Sequence, residues 1–258
     1  MNRYKFLRDN HIHEIDGRPL IGTSTVMKVL NKPLTWWASG LAVGEFGWLN
    51  SKKPENTLAL RQARAQVVLD SLREMSLEDY MKKLDKAYKA HQTSMNESAG
   101  EGTDLHAELE RFVKDHMRGV RGEYAERIKP FIEWTDRNVE KFLWSEMHCY
   151  SETFWVGGIS DCGALLKTGK TVIIDFKSSK EAYASHFFQI AGYDLQISEN
   201  GGYDSEGNKI FTLENPIDGY IVIPFRSEDS VPGYDFDVDK NREAFKACLT
   251  LYKITEKI

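Results

Sequence analysis

The stretch "IIDFKSSK" at residues 173–180 sets a carboxylate, Asp175, two positions from an ammonium, Lys177. Side chains two apart in an extended chain share a face, so both groups project to one side. A turn brings a second carboxylate to them. Residues 158–166 and 170–177 flank Lys167-Thr168-Gly169, and a hairpin centred on Thr168 sets Asp161 directly opposite Asp175. Cβ atoms of such a pair lie roughly 4.5–5.5 Å apart, and like charges there repel unless a cation sits between them. Two carboxylates with open positions suit Mg²⁺ or Mn²⁺. Taken alone, Asp-x-Lys also reads as a surface ion pair on an edge strand, which contributes little.

Two further patterns carry side chains of the same chemistry. "GTDLHAELE" spaces His106 and Glu110 four apart, on one helical face, and a neutral imidazole is a good metal ligand. "QIAGY" puts Gln189 and Tyr193 on one helical face, with His186 one turn earlier. Each pattern by itself is also that of an ordinary amphipathic helix. A metal among these groups would lower the pKa of bound water and act as a Lewis acid, and a nearby lysine would offset developing negative charge.

These residues need elements to hold them. "HIHEIDGRPL" (11–20) predicts a small hairpin turning at Asp16-Gly17, followed by a short hydroxyl-capped helix in "GTSTVMKVL". Residues 34–49 and 55–95 predict helices. "AGEGT" (99–103) predicts a break, after which Thr103 caps a helix over 104–118, with another over about 123–144. Three short strands follow at 148–156, 158–166 and 170–177. A helix over 178–197 opens with Ser178 and Glu181 as a capping box. An insertion, a strand at 218–225 and a closing amphipathic helix at 239–256 complete the chain. The pattern predicts an α/β fold, with helices packed on a mixed sheet. It divides into a mostly helical N-terminal lobe, 1–99, and a core domain, 100–258.

In this order, "GTDLH", "GISD", "DFK" and "QIAGY" resemble the PD-(D/E)xK nuclease superfamily in its RecB-type exonuclease branch. The resemblance covers about residues 100–225, and Ser160 stands where the family name has proline. It implies a restriction-endonuclease-like αβββαβ core. It also implies that Asp161, Asp175, His106 and the backbone carbonyl of Phe176 hold Mg²⁺ or Mn²⁺. Lys177 would orient or help deprotonate the attacking water. Gln189 and Tyr193 would position the strand, with Glu110, Glu152 and His186 as weaker candidates. The implied activity is a metal-dependent DNA exonuclease working from single- or double-stranded ends in recombination, repair or DNA degradation. A phage-encoded enzyme meeting recombination or replication proteins fits the single-chain format. The alternatives are a structure-specific endonuclease on the same fold and a catalytically silent nucleic-acid-binding protein. The cysteine cluster of iron–sulfur relatives is missing, so no iron–sulfur cluster is expected.

Composition narrows the field. The chain has 258 residues, a net charge of −5 and only three cysteines, Cys149, Cys162 and Cys248. The acidic balance opposes a protein that coats nucleic acid non-specifically. The cysteine spacing opposes a disulfide framework and favours a reducing compartment. No apolar run approaches a membrane span, and the N-terminus lacks a signal-like apolar stretch. The expectation is a cytoplasmic protein (host cytoplasm if phage-encoded) with no membrane partner. Trp36, Trp37, Phe46 and Trp48, near Lys52, Lys53, Arg61 and Arg64, read either as core or as one wall of a nucleic-acid channel.

Overall fold

The computed structural model describes residues 3–31, 34–115, 125–226 and 231–256, with the backbone alone at 97–103, 115 and 125. Contacts divide the chain into two units, Met1–Asn31 with Asp104–Ile258, and Lys32–Thr103. The expected boundary at 99/100 is therefore corrected, because the first 31 residues pack with the core.

The larger unit opens with strands β1 (Tyr4–Leu7), β2 (Ile12–Ile15) and β3 (Arg18–Pro19) in a three-stranded sheet. The predicted turn is present: Asp16 and Gly17 both have positive φ, 50° and 76°, as a type I′ hairpin requires. β4 (Ile21–Gly22) joins a second sheet, pairing Ile21 with Val156 and Gly22 with Gly157. Helix α1 (Thr23–Val26) and a 3₁₀ turn (Met27–Leu30) follow. No hydroxyl caps α1. Thr23 instead donates to the Gly157 carbonyl and accepts from the Gln196 amide, at 3.0 and 2.7 Å.

Lys32–Thr103 holds α2 (Thr35–Gly44), α3 (Leu58–Arg73) and the first part of α4 (Leu77–Asp115). No residue of α2 or α3 is buried. Trp36 is 90% exposed, and Trp37 and Trp48 are also exposed. The core reading of these tryptophans is thereby overturned.

The break expected at "AGEGT" is absent, and α4 runs through it. Two interior glycines cost about 1 kcal/mol each relative to alanine. That cost is small beside the anchoring of the next turns, where Leu105, Leu109, Phe112 and Val113 are all buried. Helix α5 (Ala125–Asn138) ends six residues before the expected 144. From Val139 the β-branched and aromatic run "VEKFLW" continues as strand, because β-sheet pairing buries it better than a helix would.

The main sheet contains β5 (Val139–Ser151), β6 (Val156–Leu166), β7 (Thr171–Lys177), β8 (Gly202–Tyr203), β9 (Lys209–Phe211), β10 (Gly219–Pro224) and β11 (Gly233–Asp235), with β4 beside β6. Its order is β11-β10-β7-β6-β5-β8-β9. β6 and β7 pair antiparallel with Cys162 opposite Ile174 and Leu165 opposite Thr171, the register of a turn centred on Thr168. β10 runs parallel to β7, which requires a crossover, here α6 (Ala184–Asn200).

β7 and β10 are buried almost throughout, so both faces need helical cover. One face packs Ile173, Tyr220 and Val222 against α6 and the last helix, α7 (Val238–Thr255). The other packs Val172, Ile174 and Ile221 against α5 and Leu105, Leu109 and Phe112 of α4. The chain is thus α/β with a mixed sheet flanked by helices. Among the described residues no helix is long and apolar enough to cross a membrane.

Candidate metal centre

Asp175 lies near the end of β7, 1% exposed, with β6 and β10 on either side. The edge-strand reading of Asp-x-Lys is excluded, since the pair sits on a central strand. Lys177 Nζ approaches Asp175 Oδ2 at 2.8 Å, and among the described residues no other donor reaches either carboxylate oxygen. A buried carboxylate left in that state is costly. Burial, opposed by Lys177 and reinforced by Asp161, pushes its pKa up to about 6. Burial works against charge on Lys177 as well, yet Asp175 and Asp161 outweigh it and hold the ammonium above its ordinary value.

Asp161 sits one residue beyond the last paired position of β6. Its Oδ2 accepts the Phe176 N–H at 2.7 Å, which ties it to the strand carrying Asp175. His106, on α4, donates its Nε2–H to the Phe176 carbonyl at 2.9 Å. Two ligands about 2.1 Å from an octahedral ion are about 3 Å apart. The imidazole nitrogen and that carbonyl therefore already have the spacing of neighbouring ligands.

The third member of the cluster is a residue that the sequence reading missed. Ligand atoms of His106, Glu146 and Asp161 all lie within 4.8 Å of one another. Glu146 falls in β5 between Ser145, opposite Cys162, and Met147, opposite Ser160. It is thus level with Asp161. Its φ of 46° is left-handed, a conformation that costs a non-glycine residue roughly 1–3 kcal/mol and gathers at functional sites. Burial, then Asp161 and Glu110, push its pKa up to about 8. The signal was available: a strand started at 139 instead of 148 would have carried this acid past Asp161.

The remaining candidates divide. Glu110 is one turn beyond His106, paired with Lys114, and close enough to raise Glu146. Glu152 is not brought to the cluster. Six residues beyond Glu146, it lies about 20 Å further along the chain and pairs with Arg3 at 2.9 Å. The capping box expected at Ser178 and Glu181 is also corrected: α6 starts at Ala184, and His186 Nδ1 accepts the Tyr183 N–H at 3.2 Å. Burial, with Lys177 adding to it, lowers the His186 pKa to about 4, so the ring is neutral. Gln189 donates to the Tyr193 hydroxyl at 2.7 Å. Tyr193 itself is only 6% exposed. Its ring cannot stack on a base, and its part is to hold the Gln189 amide.

The donor set is imidazole, carboxylates and a backbone carbonyl, and one buried carboxylate, Asp175, meets only the Lys177 ammonium among the described residues. These groups fit a hard divalent cation. Searches against protein-family models and against curated proteins returned no match.

Proposed function

We propose that the chain is a divalent-metal-dependent nuclease of the PD-(D/E)xK type that degrades DNA from its ends. The observation that carries this reading is the convergence of His106, Glu146 and Asp161 beside a buried carboxylate, Asp175, whose one polar partner among the described residues is the Lys177 ammonium. The αβββαβ order, with β10 parallel to β7, supports it.

In this reading His106, Glu146, Asp161, Asp175 and the Phe176 carbonyl hold Mg²⁺ or Mn²⁺. The bound ion lowers the pKa of water and stabilises negative charge on the phosphoryl oxygens. Lys177, held by Asp175, orients the attacking water and offsets charge as the phosphorane forms. The Gln189 amide, fixed by Tyr193, meets the strand backbone without reading a base. Glu110 keeps Lys114 near the acidic cluster, moderating its repulsion.

The test is digestion of end-labelled DNA, single- and double-stranded, linear and closed circular, with Mg²⁺ or Mn²⁺ and with chelator. Linear DNA shortened only in metal is the expected result. Equal activity in chelator removes the metal, and rapid cutting of closed circles replaces end-dependence with an endonuclease. Binding without cutting leaves a silent nucleic-acid-binding protein.

A further inference from the structure

The segment "TSTVMKVLN" (23–31) has no part in the metal cluster, yet it is firmly built. Thr23, Val26 and Met27 are buried against α6 and α7, and Thr23 is tied to Gly157 and Gln196. That anchoring turns the other side of the segment outward. Ser24, on α1, Lys28, on the 3₁₀ turn, and Asn31, just beyond it, all reach this side. They line a groove of about 370 Å³ together with Lys177, His186 and Gln189. Such a volume suits a fragment the size of one nucleotide.

The lining has a single chemical sense. It offers two lysines, hydroxyls and amides, and none of its described residues is a carboxylate, although the chain as a whole is acidic. Lys177 is already engaged with Asp175. Lys28 is exposed and carries no ion pair among the described residues. His186 is a neutral hydrogen-bonding ring at this wall. A groove lined by the Lys28 ammonium and by Lys177, with no carboxylate among its described lining residues, fits a chain of phosphates better than a neutral or cationic ligand.

We infer that this groove is the track for a single nucleic-acid strand, with Lys28 binding a phosphate adjacent to the one attacked, and Ser24 and Asn31 hydrogen-bonding the sugar–phosphate backbone. The inference rests on the nuclease reading for its substrate class. It adds a positioning residue on the N-terminal segment, outside the four motifs.

The test measures binding of a fluorescein-labelled oligothymidylate by anisotropy in chelator, where no turnover occurs, over a range of salt. Lys28→Ala should weaken binding roughly 3–10-fold and reduce the salt slope by about 0.7, one single-strand phosphate contact. Lys28→Arg should restore most of both. Because Lys28 is exposed, the variants should melt like the parent by circular dichroism. Unchanged affinity and slope in Lys28→Ala overturn the track while leaving a cutting enzyme intact. Lys28-dependent binding with no cleavage in Mn²⁺ keeps the track and overturns the nuclease. A parent that neither binds nor cuts overturns both. Equal affinity for thymidine monophosphate and the oligonucleotide overturns the strand in favour of a small phosphate ligand.

Discussion

At the scale of single residues, Asp175 and Lys177 are separable. Asp175→Asn replaces a buried carboxylate by a neutral amide, so it relieves repulsion with Asp161. The variant should abolish cleavage yet melt at or above the metal-free parent. A drop in melting temperature would instead make Asp175 a structural ion-pair member, since breaking a buried pair costs about 3–5 kcal/mol. Lys177→Ala leaves the carboxylates in place. It should retain Mn²⁺ binding by calorimetry while turnover falls by about 10²-fold or more, and near-parent turnover would reduce Lys177 to a bystander. Glu146 shows why one ligand was hidden. Asp161, Asp175 and Lys177 were legible because hairpin register follows from a turn. Glu146 was hidden by a misplaced element boundary: with a helix read through 144 and the strand begun at 148, the hairpin register never reached it.

At the scale of elements, the strands β6, β7 and β10 were legible because continuous apolar runs between glycine-containing turns have few other solutions. Boundaries decided by tertiary packing were not. β5 starts inside a predicted helix, and α4 ignores two glycines. If α4 is continuous, Gly100→Ala and Gly102→Ala should each stabilise the protein by about 1 kcal/mol, read as an increase in melting temperature. Destabilisation would mean that the chain turns at "AGEGT". Gly158 is a close-approach glycine of the opposite kind. A Cβ there would come within 2.6 Å of the Tyr193 ring and 2.7 Å of Thr23 Oγ1. Gly158→Ala should therefore cost about 1–3 kcal/mol by overpacking. It should also loosen Gln189, whose amide rests on Tyr193, so oligonucleotide affinity should fall with stability.

At the scale of the whole molecule, the acidic cluster links stability to pH. Without metal, Glu146 and Asp175 have pKa values raised to about 8 and about 6. Both groups hold protons more tightly folded than unfolded. The stability they contribute is present at pH near 4 and is lost as pH rises through 6 and then 8. A divalent cation binds the deprotonated forms, so its stabilising effect should grow across the same window. Melting curves in chelator and in Mn²⁺ between pH 5 and 9 should diverge as pH rises. Parallel curves would exclude these carboxylates as ligands.

The distribution of tryptophan gives the two units different optical signatures. Trp36, Trp37 and Trp48 belong to Lys32–Thr103 and face solvent, whereas Trp134 and Trp144 are buried in the larger unit, where Trp155 also lies under Arg18. The first group should emit at longer wavelength and yield to iodide quenching, and the second should emit blue-shifted and resist it. Red-edge and blue-edge emission would then report the two units separately during denaturation, with no label attached. A nucleic acid that quenched only the blue-shifted population would be sensed by the unit that carries Lys177.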